Sequence, residues 1–332
     1  MTVLVLGAGL IGGLTAQLLA QRGDTVVLAD VRAGAAPQGV QRVTCDVTDE
    51  PALKALVQAH RIRDVVHTAA WLSTAIRQDP LKGIGVNIMG TANVLECART
   101  LGLRRVVLAS STTVTYTGFA AHGPQPIEED LPLHLISERP ASIYAACKLA
   151  GEHLAHLYHD LYGVDALSLR YAAVLGDLGN ITSVPGRLLQ TLVHAGQAGQ
   201  AVSLDDPFLV WGGREEFVDA RDCALANVCA LDALNPQQRV YHIADGQWHS
   251  LGDFVAAVQR VYPALQVTWP DPLTTGFAGF PHQRPAPSDH RRAQSELNFA
   301  CAHSLQDSIA HWAPSPDASQ PLGNSHIRAR SR

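Results

Sequence analysis

The first thirty residues constrain the fold more than any other part of the chain, because two apolar runs flank a turn with regularly spaced glycines. The run TVLVLG (2–7) predicts a buried strand, LIGGLTAQLLAQRG predicts a helix, and TVVLAD (25–30) predicts a second buried strand. The turn between the first strand and the helix reads Gly7-Ala8-Gly9-Leu10-Ile11-Gly12. A strand, a helix and another buried strand favour a right-handed crossover and a parallel sheet.

The same alternation continues as far as residue 176. Further strands are predicted within 43–47 and over 63–70, 104–111 and 165–176. Helices are predicted over 49–60, 86–102 and 143–162, the first of them capped by Thr48. The fold class is therefore α/β, a Rossmann-type doubly wound parallel sheet over 1–176. Shorter segments with frequent Pro and Gly predict a smaller mixed α/β substrate lobe over 177–312, which can be interleaved with the first domain. Residues 313–332 have almost no apolar content and are predicted to be a disordered tail.

Composition excludes several classes of function. The 332-residue chain has a net charge of −5 and no basic cluster in the part expected to fold, so no nucleic-acid partner is expected. No run of 18 apolar residues occurs, and the N-terminus lacks the basic start of a signal peptide, so we expect a cytoplasmic protein without a membrane partner. The six cysteines show no metal-ligand spacing, which predicts reduced thiols and no metal site, and His67 is interpreted as a satisfied core residue.

The glycine turn predicts a dinucleotide site. Gly7 makes the turn, Gly9 lets a pyrophosphate approach the backbone, and Gly12 lets helix and strand pack closely, with Leu10 and Ile11 at the helix start. Asp30 ends the next strand 18 residues after Gly12 and can accept hydrogen bonds from a ribose diol, which favours NAD over NADP. Arg32 is a counter-signal that favours NADP. Asp46 is either a turn residue or, with Val47, a contact to the adenine edge.

Tyr144 and Lys148 are spaced i, i+4 and therefore share one helix face. The chain has only three lysines among its 25 basic residues, so a lysine at this spacing is not expected to be an ordinary solvent-exposed charge. An adjacent ammonium is expected to lower the pKa of the phenol, which can then exchange a proton with an alcohol that trades a hydride with nicotinamide. Ser110, Ser111 and Thr112 follow the fifth strand, where a hydroxyl can either hold the substrate oxygen or serve turn chemistry.

Together these residues resemble the extended short-chain dehydrogenases, the NAD-dependent epimerase/dehydratase family that includes UDP-glucose 4-epimerase. The resemblance covers residues 1 to about 312 and includes HTAA at 67–70 and a structural Asn87. It implies a catalytic set of Ser111, Tyr144 and Lys148. It further implies cofactor contacts at Ala69, Ala70 and Tyr171, beside Tyr144 and Lys148 themselves, and substrate contacts at Ser73, Ser111, Thr112 and Tyr144.

Two departures from the nucleotide-sugar members bear on the substrate. Those members carry an Asn three residues after the Arg that here is Arg170, and this chain has Ala173 at that place. They also carry an Arg-Asp pair in the second lobe with the Arg on a phosphate, and here Glu215 and Glu216 stand there. A carboxylate cannot replace a bidentate phosphate ligand, although Arg214 could reach by a one-residue slip. The pattern therefore looks more like members that act on small molecules, such as L-threonine or sugar-acid dehydrogenases.

The leading hypothesis is an NAD-dependent oxidoreductase that transfers a hydride between NAD and a small hydroxylated substrate: a sugar, a sugar acid, a polyol or a hydroxy-amino acid. One alternative is a nucleotide-sugar epimerase or dehydratase that recycles tightly bound NAD. Another is a non-catalytic NAD(H)-sensing regulator. Surplus apolar residues on the helices at 86–101 and 143–162, which pair in a four-helix bundle in the resembling family, predict a homodimer.

Overall fold

The computed structural model describes residues 1–138, 142–177 and 183–314 of the chain. The strands in these parts are β1 Thr2–Leu6, β2 Thr25–Asp30, β3 Val40–Thr44, β4 Asp64–His67, β5 Arg105–Ser111, β6 Ala166–Tyr171, β7 Ala173–Leu175, β8 Val202–Ser203, β9 Phe217–Asp219, β10 Val240–Ile243 and β11 Val267–Thr268. Seven of them form one parallel sheet in the order β10-β6-β5-β4-β1-β2-β3. The order reverses between β1 and β4, the kind of switch point at which open α/β sheets bind ligands. The predicted Rossmann-type sheet is confirmed.

Helices cover both faces of this sheet. In the described residues they are α1 Leu10–Gln21, α2 Glu50–Ala59, α3 Ser73–Gln78, α4 Pro80–Ile84, α5 Gly90–Leu101, α6 Ile143–Tyr162, α7 Val184–Ala198, α8 Ala220–Asp232, α9 Leu251–Val261, α10 Arg291–Leu297 and α11 Leu305–Trp312. Successive residues of β1 point to opposite faces, so Val3 and Val5 pack with α1 and α8, whereas Leu4 and Leu6 pack with α2, α5 and α6. Burial on both faces explains why the strands are continuous apolar runs.

The second lobe has its own core between α7, α9 and α11. Trp211 and Phe254 lie at its centre, 1% and 0% exposed, and two small parallel pairs, β7 with β9 and β8 with β11, lie beside them. The chain then returns to the main sheet, since β10 pairs with β6. The division at residue 176 remains a prediction, and residues 315–332 of the predicted tail lie outside the described parts.

Three local expectations need correction. The strand predicted over 165–176 is two strands, because β6 belongs to the main sheet and β7 turns away to pair with β9. The cap of α2 is Asp49 and not Thr48, since the Asp49 carboxylate accepts from the Ala52 N–H at 3.0 Å while the Thr48 hydroxyl donates to Asp46. The helix predicted over 86–102 begins with a π-helical turn, Gly85–Met89, before α5.

Candidate active site

The glycine loop joins β1 to α1 next to the switch point. Gly7 has a φ of 96°, and a Cβ placed on it would lie 2.5 Å from the Ala69 nitrogen. A Cβ on Gly12 would lie 1.9 Å from the Gly7 carbonyl oxygen, whereas a Cβ on Gly9 would meet nothing within 4 Å. Gly9 is the N-cap of α1 and offers no side-chain cap to the free N–H groups of the first turn. The loop therefore leaves an open approach to a positive helix end, as a pyrophosphate requires.

Three alanine substitutions in this loop are expected to have three different effects. Gly12→Ala should lower the free energy of unfolding by roughly 3 kcal/mol, because the new methyl group collides with backbone that cannot move freely. Gly9→Ala should leave stability unchanged and weaken NAD binding on the order of tenfold or more, because its methyl group occupies the ligand's approach. Gly13→Ala is the matched control: its Cβ meets nothing within 4 Å in α1, so stability should rise by about 0.5–1 kcal/mol. Urea unfolding and NADH fluorescence titration separate the three, and a Gly9→Ala variant with wild-type affinity would contradict this account of the loop.

Asp30 ends β2 beside the glycine loop, as expected for a ribose ligand. Its Oδ2 accepts from the Ala8 N–H at 2.8 Å, and its Oδ1 accepts from the Arg32 N–H at 3.0 Å. These two bonds fix the carboxylate against the loop and leave further lone pairs for a ribose diol. The Arg32 side chain is exposed beyond the strand.

Two other predicted cofactor contacts follow β4. The Ala69 N–H donates to the Leu6 carbonyl at 2.8 Å, which brings the HTAA segment against the glycine loop. Ala69 and Ala70 are both half-buried. The structure thus gathers Gly7, Asp30 and Ala69 at the carboxyl ends of three neighbouring strands.

The remaining predicted contacts have structural partners inside the protein. The Asp46 carboxylate is exposed and accepts from the Thr48 N–H at 2.9 Å, which is turn chemistry. Val47 is 5% exposed in the core under α5. The Tyr171 hydroxyl donates to the Asn227 side chain at 2.7 Å, and Tyr171 is 4% exposed. A role for these three residues at the cofactor stays a prediction.

The structure brings Ser111, Tyr144 and Lys148 together where α6 begins against the end of β5. Ser142 caps α6 and so places Tyr144 in its first turn. The Ser111 hydroxyl oxygen accepts from Thr113 N–H at 3.2 Å and from its hydroxyl at 3.0 Å. Since its acceptor side is occupied, Ser111 has its own proton to donate, and its interaction with the Tyr144 phenol works against a rise in the pKa of that phenol.

Lys148 reaches the same strand from one helical turn further along. Its Nζ donates to the Ala109 carbonyl oxygen at 2.6 Å and lies 5.6 Å from the centroid of the Tyr144 ring. Burial lowers the pKa of Lys148 to about 8. Burial raises the pKa of Tyr144 to about 12, although the bond from Ser111 opposes the rise. The lowered pKa expected for Tyr144 is therefore not found, because desolvation of the phenol outweighs any stabilisation of its charged form by the nearby ammonium.

His67 lies behind Lys148 and is not the fully satisfied core residue that the sequence suggested. It is 4% exposed, its Nδ1 has no hydrogen-bond partner, and burial lowers its pKa to about 3. It lines a cavity of about 10 Å³ with Asn87, Thr91, Lys148 and other residues, which is room for about one water molecule. The imidazole is therefore neutral at physiological pH.

Sequence reasoning missed the polar residues that support this site. Glu152, 3% exposed, accepts from the Ser110 hydroxyl at 2.5 Å and from Arg170 at 2.7 and 2.9 Å. Two signals could have revealed it: Glu152 stands four residues after Lys148 on the same helix face, and an acidic residue is rarely buried without a partner.

Glu215 and Glu216, which stand where the nucleotide-sugar members carry a phosphate ligand, form a buried cluster with Arg284. Arg284 Nε lies 2.6 Å from Glu215 Oε1, and Arg284 Nη1 lies 3.0 Å from Glu216 Oε2. The Tyr116 hydroxyl donates to Glu215 at 2.7 Å, and the Arg284 side chain is 0% exposed. Arg214, the alternative phosphate ligand, is exposed and donates to a backbone carbonyl at 3.3 Å.

The two predicted substrate contacts outside the catalytic set differ in accessibility. Ser73 is the first residue of α3 and is half-buried. Thr112 is 3% exposed, so its side chain faces the interior. Among the described residues, no three His, Cys, Asp or Glu side chains group as a metal site requires, and no helix has the length and hydropathy of a membrane span.

Comparison with known proteins adds a family to this geometry. The model of the NAD dependent epimerase/dehydratase family matches residues 3–244. The chain belongs to this family. Members of it are enzymes, and the cofactor of this chain is NAD. The open Gly9, the uncapped helix start and the anchored Asp30 fit that dinucleotide.

Relatives within the family carry more than one activity in their names. The chain is 28% identical over 287 residues to UDP-glucose 4-epimerase of Erwinia amylovora, covering 78% of this chain and 82% of that protein. It is 36% identical over 135 residues to UDP-glucuronate 4-epimerase of Thermodesulfobacterium geofontis, covering 40% of this chain and only 39% of that protein.

Solved structures with a similar fold also carry more than one activity in their names. L-threonine dehydrogenase of Cupriavidus necator superposes with a TM-score of 0.80 at 24% identity, covering 94% of this chain and 99% of that one. UDP-glucose 4-epimerase of Thermus thermophilus, in complex with NAD, gives a TM-score of 0.75 at 25% identity, covering 94% and 99%. The fold is therefore shared by dehydrogenases and epimerases, and the substrate has to be argued from the site.

Proposed function

We propose that this enzyme is an NAD-dependent oxidoreductase of the extended short-chain type that acts on a small hydroxylated compound: a sugar, sugar acid, polyol or hydroxy-amino acid. Ser111, Tyr144 and Lys148 are its catalytic residues. When bound, NAD supplies the hydride acceptor, or as NADH the donor, and the chain supplies the proton chemistry and the binding site.

The hydrogen-bond directions support one role for each residue. Ser111 accepts from Thr113 and so donates its own proton, which can turn from the Tyr144 phenol to a substrate oxygen. Tyr144, with a pKa of about 12, carries its proton at neutral pH and is suited to give it to a carbonyl oxygen that is being reduced. The Lys148 ammonium, fixed by Ala109, offsets the charge left on the phenol after this transfer.

The observation that carries the substrate class is the closed cluster of Glu215, Glu216 and Arg284. Two carboxylates hold the buried guanidinium of this cluster. Its Nη2 has no hydrogen-bond partner among the described residues, but the side chain is 0% exposed, so a diphosphate could reach it only if the cluster opened. A phosphate group of a nucleotide sugar would approach the carboxylates of Glu215 and Glu216, and repulsion between like charges disfavours its binding. A substrate without phosphate groups fits the second lobe better.

A panel of such compounds tests the proposal. Purified enzyme is mixed with excess NAD and with each sugar, sugar acid, polyol or hydroxy-amino acid, and absorbance of NADH is followed at alkaline and neutral pH. We expect sustained NADH formation with at least one class. Silence across the panel from protein that still binds NADH would count against the proposal.

The second candidate is a nucleotide-sugar epimerase, which the names of the relatives and the coverage of the Erwinia protein favour. It predicts that UDP-glucose or UDP-glucuronate raises the melting temperature and is converted without net NADH. Absence of both effects at millimolar nucleotide sugar would remove this candidate.

Asp30 is expected to set the choice between NAD and NADP. Asp30→Ala should weaken NADH binding about tenfold to a hundredfold, since it removes a charged acceptor for the ribose diol. NADPH binding should improve relative to NADH, because the carboxylate no longer repels a 2′-phosphate. Fluorescence titration of both dinucleotides measures this. A wild type that prefers NADPH would show instead that Arg32 decides the preference.

The homodimer proposal rests on apolar side chains left exposed on two helices. Leu157, Leu161 and Tyr162 on α6 are 52%, 66% and 55% exposed, and Met89, just before α5, is 54% exposed. Val94 and Leu95 are on the side of α5 that faces the sheet and are 1% and 0% exposed, so they do not contribute to this surface. The remaining exposed residues are continuous with the helix that carries Tyr144, and a two-fold mate would cover them.

Leu161→Glu is therefore expected to dissociate the protein. Light scattering at micromolar concentration should give about twice the 35.5 kDa chain mass for wild type, and about the chain mass for Leu161→Glu, because a dimer would bury two carboxylates. Leu234→Glu is the matched control, since Leu234 is 89% exposed and lies outside these helices. A wild-type monomer, or a Leu234→Glu variant that dissociates equally, would contradict the interface.

The proposal also includes a cytoplasmic, reducing compartment. All six cysteines are free thiols. Burial raises the pKa of Cys97 to about 11 and raises that of Cys147, so these thiols are unreactive at neutral pH.

A further inference from the structure

One stripe of α6 makes three polar contacts with the last three residues of β5. Tyr144, Lys148 and Glu152 are spaced four residues apart and share a helix face. Tyr144 meets Ser111, Lys148 donates to the Ala109 carbonyl oxygen at 2.6 Å, and Glu152 accepts from the Ser110 hydroxyl at 2.5 Å. The first two contacts belong to the proposed chemistry, and the third has no part in it.

Glu152 is fixed from a second strand as well. Arg170 on β6 donates to both of its carboxylate oxygens, from Nε at 2.9 Å and from Nη2 at 2.7 Å. Arg170 is the register partner of Ser110, so the two residues that hold Glu152 lie side by side on neighbouring strands. Glu152 and Arg170 are 3% and 6% exposed. A bidentate pair this deeply buried allows little rotation of either group.

The position of this contact matters because Tyr144 lies at the very start of α6. Tyr144 is the second residue of the helix, and its immediate support on the N-terminal side is the Ser142 cap at 3.2 Å. A bond two turns further along, to the strand that carries Ser111, fixes both the rotation and the height of α6 relative to that strand. A shift of about 1 Å between reacting groups can lower a rate about a hundredfold.

We propose that Glu152, clamped by Ser110 and Arg170, is a positioning residue that holds Tyr144 and Lys148 in register with Ser111. The expected effect on the rate rests on the proposed function, whereas the expected effect on the position of α6 does not. In this proposal Glu152 contacts neither substrate nor cofactor, and it acts through the orientation of α6.

The charges around Lys148 make its titration a reporter of this positioning. The ionisable groups near it are His67 from β4, Tyr144, Cys147 and Glu152 from α6, and Arg170 behind Glu152 from β6. His67, with a pKa of about 3, is neutral at neutral pH, and burial keeps the phenol and the thiol protonated there. The Glu152 carboxylate raises the pKa of Lys148 against the effect of burial, and the bond to Ala109 also favours the ammonium.

The chain is well suited to this measurement because it has only three lysines, Lys54, Lys82 and Lys148. Protein labelled with ¹³C at lysine is titrated from neutral to strongly alkaline pH, and the Lys148 resonance is assigned by its loss in Lys148→Arg. Two serine variants are compared. Ser110→Ala removes the bond to Glu152 and leaves the Arg170 pair intact. Ser168→Ala is the matched control, since Ser168 is 1% exposed on β6 and its hydroxyl has no partner.

We expect Ser110→Ala to move the Lys148 titration to lower pH and to lower kcat about tenfold, with KM and NADH affinity within about twofold of wild type. Ser168→Ala should match wild type in all of these. Glu152→Gln should move the titration in the same direction; should it fail to fold because Arg170 loses its partner, the serine pair still decides. Identical Lys148 titrations in Ser110→Ala and Ser168→Ala would overturn the proposal. Because the titration needs no substrate, this result is independent of whether the proposed activity is found.

Discussion

Tyr144→Phe is expected to lower kcat about a thousandfold, since a positioned general acid contributes roughly 10²–10⁴ in rate. The phenylalanine ring fills the same space but lacks the hydroxyl group that exchanges the proton and interacts with Ser111. NADH affinity and the melting temperature should stay near wild-type values. Steady-state rates with the best compound of the panel measure the effect.

Tyr158→Phe is the control for this variant, because Tyr158 lies on the same helix and its hydroxyl makes only a long bond, 3.4 Å, to Glu96. It should retain wild-type kcat. A Tyr144→Phe enzyme within about tenfold of wild type would show that another group, or water, supplies the proton.

Lys148→Met is expected to change how stability depends on pH. The pKa of Lys148 is lowered to about 8 in the folded protein, against an ordinary value of 10.5. Between these two values the unfolded chain binds more protons, so this group makes the folded state more stable as pH rises from about 8 to about 10.5. Below about pH 8 its buried ammonium costs up to about 3 kcal/mol. Methionine removes the charge and with it this dependence.

Urea unfolding of both proteins without added cofactor, at several pH values from about 7 to about 10.5, measures the difference. The advantage of Lys148→Met in free energy of unfolding should be largest near neutral pH and shrink as pH rises, while activity is lost throughout. Tyrosines and cysteines away from Lys148 titrate alike in both proteins and cancel, and the exception is Cys147, whose pKa the ammonium lowers. A difference that does not change with pH would mean that Lys148 keeps an ordinary pKa in the folded state.

The sequence was sufficient for features in which local pattern and chemistry coincide. There are three such features: the glycine loop, Asp30 at the end of β2, and the Tyr144–Lys148 spacing. In each, the residues that set the local backbone and the residues proposed to bind or react are close together in the sequence. Helix α6 was predicted with the bounds that the structure has, and in the structure a serine cap and a glycine stop flank its apolar-periodic run.

The rest depends on partners distant in sequence. The sequence around Glu152 does not indicate its two partners, because Ser110 lies 42 residues earlier and Arg170 lies on the next strand. The pKa of Tyr144 was misjudged for a similar reason, since it depends on burial of the phenol in the folded protein and on Ser111, which lies on another element. Glu215 and Glu216 were recognised as departures from the family pattern, but their partner Arg284 lies 69 residues after Glu215 in the chain.

In the proposed reaction, hydride passes between the substrate and NAD that exchanges with solution. Its most direct measurement is the number of NADH molecules formed per subunit when wild-type enzyme meets excess NAD and a saturating small hydroxylated substrate. We expect many equivalents of NADH per subunit, with none formed from UDP-glucose. Conversion of UDP-glucose to its epimer with at most one equivalent of NADH per subunit, and no accumulation from any small substrate, would contradict it.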